Sequence, residues 1–274
     1  MNGKRPYKLP EPLLCSADKE INMALIDEYI RKHEEMMPRY NYLENLYKGF
    51  HDVFHLPEKE SWKPDNRLAV NFPRYITETF LGYAYGIPIK KTHPDEKIKD
   101  AILEFDRDND ITDQEYELAK KCCIYGHAFE YFYQDEETKT KTVVCDPKEL
   151  FVVYDDTVKR RALFAVRYGY KEDKVTRYGE VLTRTEIIPF EEEKMQEGTQ
   201  NPYGRINCVE YLLNDERIGL YEEVAGMVET YNRVIGEKAN DVDSFAEAYL
   251  AVLGAELDED GVANLRQMEH RKIF

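Results

Sequence analysis

The chain is poor in positive charge: 38 Lys and Arg stand against 54 Asp and Glu, a formal net charge of −16 over 274 residues. Such a surface repels phosphates, so tight nonspecific binding of nucleic acid is not expected. Long apolar runs are missing as well, and nothing approaches the roughly 18 residues needed to cross a bilayer. The N-terminus, Met1-Asn2-Gly3-Lys4-Arg5-Pro6, leads into Pro10 and Pro12 without the apolar stretch of a secretory signal, so a cytosolic setting is expected. Cysteine is scarce: Cys15, Cys122, Cys123, Cys145 and Cys208 are odd in number and form no pair of CxxC steps, which argues against a disulfide framework or a zinc ribbon. Phosphate-cradling loops of the GxxxxGK[ST] or GxGxxG type are absent, which disfavours a motor ATPase.

What is present is 42% hydrophobic residues, enough for one sizeable core and a second, smaller unit. The negative charge is uneven. From Asn214 to Gly261 thirteen Asp or Glu face three Lys or Arg, a net −10 of the −16. A solvated helical surface is the simplest account of it.

Residues 1–16 read as an extended lead-in. A helix is expected from Ala17, capped by Ser16, with Ile21, Leu25 and Tyr29 on one stripe; Pro38 interrupts it, Leu43, Leu46 and Tyr47 resume it, and Gly49 stops it. Helices follow from about Pro73 to Gly86, over Asp95–Asp106 and over Asp113–Tyr125. After Gly126 the period changes to two. Strands are expected near Phe129–Tyr133, Thr142–Cys145, Phe151–Tyr154, Leu163–Tyr170, Val175–Thr183 and Cys208–Leu213, with short polar links that suggest an antiparallel meander and an exposed loop at Glu191–Gly204. A last helical region begins near Leu220, with Val224, Met227, Val228, Tyr231 and Ile235 as its apolar stripe and Glu229 paired to Arg233 on the outside. A further helix capped by Asn240 or Asp241 carries Phe245, Tyr249 and Val252 and stops at Gly254. Helices, then strands, then helices define an α+β protein, divided at residues 1–214 and 215–274.

Three places could carry chemistry. Asp106, Asp108, Asp110 and Glu117 fall at calcium-loop positions, but Ile111 replaces the required glycine, so a polar helix–helix connection is expected. Asp155-Asp156 could hold metals for phosphoryl transfer, but no third carboxylate is assignable and Asp-Asp-Thr is ordinary turn chemistry. His127 lies near Cys122 and Cys123 in an apolar run, and is expected to be a satisfied polar residue rather than half of a nucleophile pair. No catalytic, metal or cofactor site remains.

Longer strings carry more. The run Pro64-Asp-Asn-Arg-Leu-Ala-Val-Asn-Phe-Pro-Arg-Tyr-Ile76 is followed by Gly82-Tyr-Ala-Tyr-Gly-Ile-Pro-Ile89, Tyr125-Gly-His-Ala-Phe-Glu-Tyr131 and Phe151-Val-Val-Tyr-Asp-Asp-Thr157. Asn201-Pro-Tyr-Gly204, Glu229-Thr-Tyr-Asn232, Asn240-Asp241 and Phe245-Ala-Glu-Ala-Tyr-Leu250 complete the set. In this order, from about Ile21 to Leu253, the chain resembles the portal proteins of long-tailed phages of Gram-positive hosts. The resemblance implies a structural subunit of a twelvefold ring at the capsid vertex, assembled in the host cytoplasm. Its implied partners are other portal subunits, terminase, head-completion, capsid and scaffolding proteins, and double-stranded DNA that passes without tight binding; no membrane is implied.

By position, 1–214 would be the wing, Leu220–Ile235 part of the first stem helix, and the region after Asn240 the start of the clip. Glu222, Glu229 and Glu237 would then be candidate tunnel residues, with Arg233 facing the tunnel or a neighbouring subunit, and the acidic wall would let a polyanion slide. Family members continue through a second stem helix, a tunnel loop and a crown, so a chain of this extent is expected to be a monomer or weak oligomer. The rival readings are a metal-dependent nucleic-acid enzyme using Asp155 and Asp156, and a generic acidic adaptor or scaffold.

Overall fold

The computed structural model describes residues 7–246. Its elements are β1 (Leu13–Cys15), α1 (Met23–Glu34), α2 (Met37–Lys48), α3 (Phe72–Tyr85), α4 (Glu96–Asp108) and α5 (Ile111–Tyr125), followed by a run of strands. These are β2 (His127–Gln134), β3 (Thr140–Cys145), β4 (Leu150–Asp155), β5 (Ala162–Tyr170), β6 (Arg177–Leu182), β7 (Glu186–Glu191), β8 (Lys194–Met195), β9 (Thr199–Gln200) and β10 (Cys208–Leu212). Helix α6 (Ala225–Ala246) closes the described chain, and the expected features at Tyr249, Val252 and Gly254 lie outside the described residues. The α+β class is as expected.

The chain forms two compact units, each built from two separate stretches of sequence. The larger joins the N-terminal segment through Glu44 to Ile76–Glu223; the smaller joins Asn45–Tyr75 to the chain from Val224. The segment around His51–Phe72 therefore belongs with α6, across a sequence separation that no local pattern reveals.

In the larger unit the meander is split in two. Strands β4 to β8 run antiparallel in sequence order, with β9 paired to β7 and β1 added in parallel to β4; β10, β2 and β3 form a separate antiparallel sheet. Alternation along the central strands decides the layers. Phe151, Val153, Phe164 and Val166 meet Ile26, Tyr29 and Ile30 of α1, while Leu150, Val152, Ala165 and Leu182 meet Phe129, Tyr131, Cys145 and Cys208 of the smaller sheet. Leu118 and Cys122 of helix α5 cover the far side of that sheet, against Ala128 and Val144. Two segments expected to be irregular pair instead. Leu13–Cys15 completes the sheet edge beside β4, and part of 191–204 forms β8 and β9, because their backbone groups find partners on neighbouring strands.

Local chemistry sets the helix ends. Asn22, not Ser16, caps α1, accepting from Leu25 N at 3.0 Å, so the helix begins later than the apolar stripe suggests. Asp95 caps α4 by accepting from Lys97 N at 2.9 Å. Gly126 ends α5 at φ +88°, where a Cβ would lie 2.0 Å from the Arg217 carbonyl oxygen, so only glycine fits. Asp106 and Asp108 close α4, Asn109 caps it and Asp110 takes a left-handed turn at φ 48° into α5, the polar connection anticipated for this stretch.

Candidate functional site

Helix α6 carries part of the acidic region singled out by the sequence, and of the expected apolar stripe only Val228 is buried, while Val224, Met227 and Tyr231 are exposed. The buried stripe of the helix is Ala225, Val228, Asn232, Gly236 and Asn240, whereas Val224, Met227, Tyr231, Val234, Val242 and Phe245 are exposed. The inward asparagines are there to satisfy backbone. Asn232 Oδ1 accepts from Val70 N at 2.9 Å, and Asn240 Oδ1 accepts from Asn66 N at 2.6 Å. These amides lie in an irregular segment with no strand or helix partner of its own, so the helix side chains stand in for a ladder. Between them Gly236 lets the segment approach closely: a Cβ there would lie 2.8 Å from Asn66 O.

Acids on the same helix serve the same purpose. Glu229 is not paired with Arg233. Its Oε1 lies 2.7 Å from His51 Nδ1 and its Oε2 accepts from Asp52 N at 2.9 Å, holding the start of the short 3-10 turn Asp52–His55. Glu237 pairs with Lys59, with Nζ to Oε distances of 2.8 and 3.0 Å, and the hydrogen bond from Lys59 holds its carboxyl below the usual range. Asp243 accepts from Asn66 Nδ2. Arg233 is exposed and makes no ion pair among the described residues.

Glu222, a candidate tunnel residue by the resemblance, is buried in the larger unit. Arg39, also wholly buried, donates through Nε to Glu222 Oε1 at 2.9 Å and through Nη2 to Oε2, and Oε2 also accepts from Gly219 N at 2.9 Å. The same Nη2 reaches the carbonyls of Tyr125 at 3.0 Å and Arg217 at 2.8 Å. A guanidinium with several fixed donors can tie the end of α5, the turn before α6 and the turn carboxylate together at once. Arg39 was missed in the sequence, although it stands at i, i+4, i+7 with Leu43 and Leu46 on the buried stripe of α2, which is an unusual place for a charge.

A second buried cluster surrounds His127. Its Nε2 lies 2.9 Å from Tyr40 OH and its Nδ1 lies 2.8 Å from Glu210 Oε1; Glu210 also accepts from Arg217 Nε at 2.8 Å and Nη2 at 2.9 Å, and from Tyr154 OH. Burial opposes ionisation of Glu210, but the hydrogen bonds from His127 and Arg217 outweigh it and hold the carboxyl at about 2. Burial lowers the His127 imidazole, and it pushes the Cys122 and Cys123 thiols up to about 12. Neither thiol is a nucleophile near neutral pH, and His127 is engaged on both nitrogens.

Asp155 sits in a turn, its carboxylate accepting from Thr157 N at 3.1 Å and Thr157 Oγ1 at 2.6 Å. Among the described residues no group of three or more His, Cys, Asp or Glu side chains is placed to hold a metal ion. Nor is any described helix long and apolar enough to cross a membrane. Buried charges fix turns in the larger unit, and polar side chains hold α6 along one face in the smaller.

The chain is 22% identical over 259 residues to the portal protein of Bacillus phage SPP1, an alignment covering 85% of this chain and 51% of the relative. It therefore spans about half the length of the curated relative it matches. The family described as phage portal protein, SPP1 Gp6-like, matches residues 26–273, nearly the whole sequence, and the chain belongs to that family.

Proposed function

We propose that this chain supplies the wing and the first stem segment of a portal subunit, a structural component of the ring at the capsid vertex through which phage DNA is packaged and ejected. The observation that carries the proposal is the family match across residues 26–273, joined to the build of α6. A 22-residue helix is held along one side by polar anchors and leaves Val224, Met227, Tyr231, Val234, Val242 and Phe245 exposed. The first four of these recur at three- and four-residue steps, the spacing of a helix–helix seam. A helix that keeps such a seam in water is suited to lie beside the same helix of a neighbouring subunit.

Of the thirteen acids between Asn214 and Gly261, Glu222 and Glu229 are spent inside the fold, Glu237 is paired with Lys59, and five from Glu247 onward lie outside the described residues. Arg233 and Glu237 remain as proposed subunit- or tunnel-facing residues. A weakly charged helical wall still suits passage of a polyanion, since no cluster of unpaired bases stands on the described part of α6.

The partners follow from this reading: other portal subunits in a twelvefold ring, terminase during packaging, head-completion proteins afterwards, and capsid and scaffolding proteins at the vertex, with assembly in the host cytoplasm. The role is architectural and not enzymatic. Electron microscopy of the protein produced from its gene is expected to show rings with a central channel. Magnesium-dependent nuclease or polymerase activity that disappears in Asp156→Ala, in a protein that forms no ring, would overturn the proposal.

A further inference from the structure

In the larger unit one amphipathic helix has no buried face. Helix α4 alternates apolar and charged residues at helical spacing, yet none of its residues is buried, and Ile98 and Leu103 are exposed. Tyr83 near the end of α3 and Ile87 just after it are exposed as well, and α3, α4, α5 and the three-stranded sheet line a cleft of about 590 Å³. Phe80, Ile89, Phe105, Ile111, Leu118 and Val144 are among its lining residues. The rim is acidic. From Asp95 to Glu117 ten Asp or Glu face three Lys or Arg, a net −7, and Asp100, Glu104 and Asp113 are exposed without an ion pair among the described residues. The single cation at the cleft, Lys91, is already shared between Asp106 and Glu115, both at 2.9 Å.

The same unit carries the complement. The β4–β5 turn ends in Val158-Lys159-Arg160-Arg161, three cations in sequence on a chain of net charge −16. All four are exposed, Val158 completely, and the three bases make no ion pair among the described residues. The tip is also fixed in shape: Asp155 accepts from Thr157, and Arg160 N donates to Thr157 O at 3.1 Å. A preformed basic knob with an apolar side chain at its end matches an apolar cleft with an acidic rim in both charge and hydropathy.

We propose that the β4–β5 tip of one copy docks on the α3–α4–α5 face of the next, Val158 against the apolar surface and Lys159, Arg160 and Arg161 against the acidic rim. The two patches are different parts of one molecule, so the contact is head-to-tail, the type that propagates into a ring when the rotation closes. This inference rests on the ring-forming reading and names one of its contacts.

The test uses the whole 274-residue chain. Sedimentation velocity against concentration, at low and high salt, is run on the native protein, on Lys159→Glu/Arg160→Glu/Arg161→Glu and on Asp100→Lys/Glu104→Lys/Asp113→Lys. All substituted positions are exposed, and circular dichroism checks that each variant folds. Expected are salt-sensitive association of the native chain, an association constant at least about tenfold weaker for each variant alone, and recovery when the two variants are mixed, because the reversed tip then meets the reversed face. Unchanged association in both variants, or loss without recovery on mixing, would overturn the contact, and so would a native chain that stays monomeric at every concentration. If the protein from its gene still forms rings with either set of charges reversed alone, this contact falls while the portal reading stands.

Discussion

Removing Arg39 is expected to be among the most damaging single changes in the larger unit. Arg39→Leu keeps the approximate volume but leaves the Glu222 carboxylate, whose side chain has no exposed surface, without its counter-charge. Breaking a buried pair from one side costs about 3–5 kcal/mol. The Tyr125 and Arg217 carbonyls also lose a donor, so the upper end applies. At roughly 2–4 °C per kcal/mol for a chain of this size, the melting temperature should fall by about 6–20 °C. Adding Glu222→Leu to give the double variant removes the stranded charge, and most of the loss should return, since a buried pair replaced by apolar groups is often near neutral. Urea unfolding followed by circular dichroism on the native protein, both single variants and the double variant gives the coupling energy directly. A loss below about 1 kcal/mol for Arg39→Leu, or a double variant as unstable as the worse single one, would refute the account of Arg39 as the tie between α5, the following turn and Glu222.

Three further outcomes are expected. Burial lowers the His33 imidazole to about 4, so the folded chain resists a proton that the unfolded chain accepts near 6.5. The stability this imidazole contributes is complete above about pH 6.5 and is lost at roughly 1.4 kcal/mol per pH unit as pH falls toward 4; His33→Gln should flatten that limb in urea titrations taken at several pH values. Gly126→Ala places a Cβ on the Arg217 carbonyl at a backbone angle unsuited to alanine, and should cost more than about 3 kcal/mol or prevent soluble expression, as thermal unfolding would show. Asn232→Ala should cost about 1–2 kcal/mol and speed hydrogen exchange at the Val70 amide, with exchange at Val153 in the sheet unchanged.

The elements themselves were legible because periodicity is local. The helices over α3, α4 and α5, the switch to strands after Gly126 and the turn at Asp155 all follow from spacing, caps and turn chemistry within a few residues. Ser16 misled as a cap because several polar residues precede the apolar stripe, and only backbone geometry chooses Asn22. The short strands β1, β8 and β9 could not be read, since two or three residues have no period and their pairing depends on an edge elsewhere in the chain.

What the sequence alone determined was composition and period: an acidic α+β chain without signatures of a motor or a redox fold, whose ordered motifs resemble a portal. Tertiary structure alone decided which face of each element turns inward. Apolar spacing put Met227, Val228, Tyr231 and Ile235 on one inward stripe of α6, yet Met227 and Tyr231 are exposed and the buried side carries Asn232, Gly236 and Asn240 with Val228, because an irregular segment some 160 residues upstream needs hydrogen-bond partners that apolar side chains cannot give. Likewise Glu222 counts as surface charge in any sum over residues. Only the arrival of Arg39 from a distant helix makes its burial tolerable, and that pairing is a property of the fold.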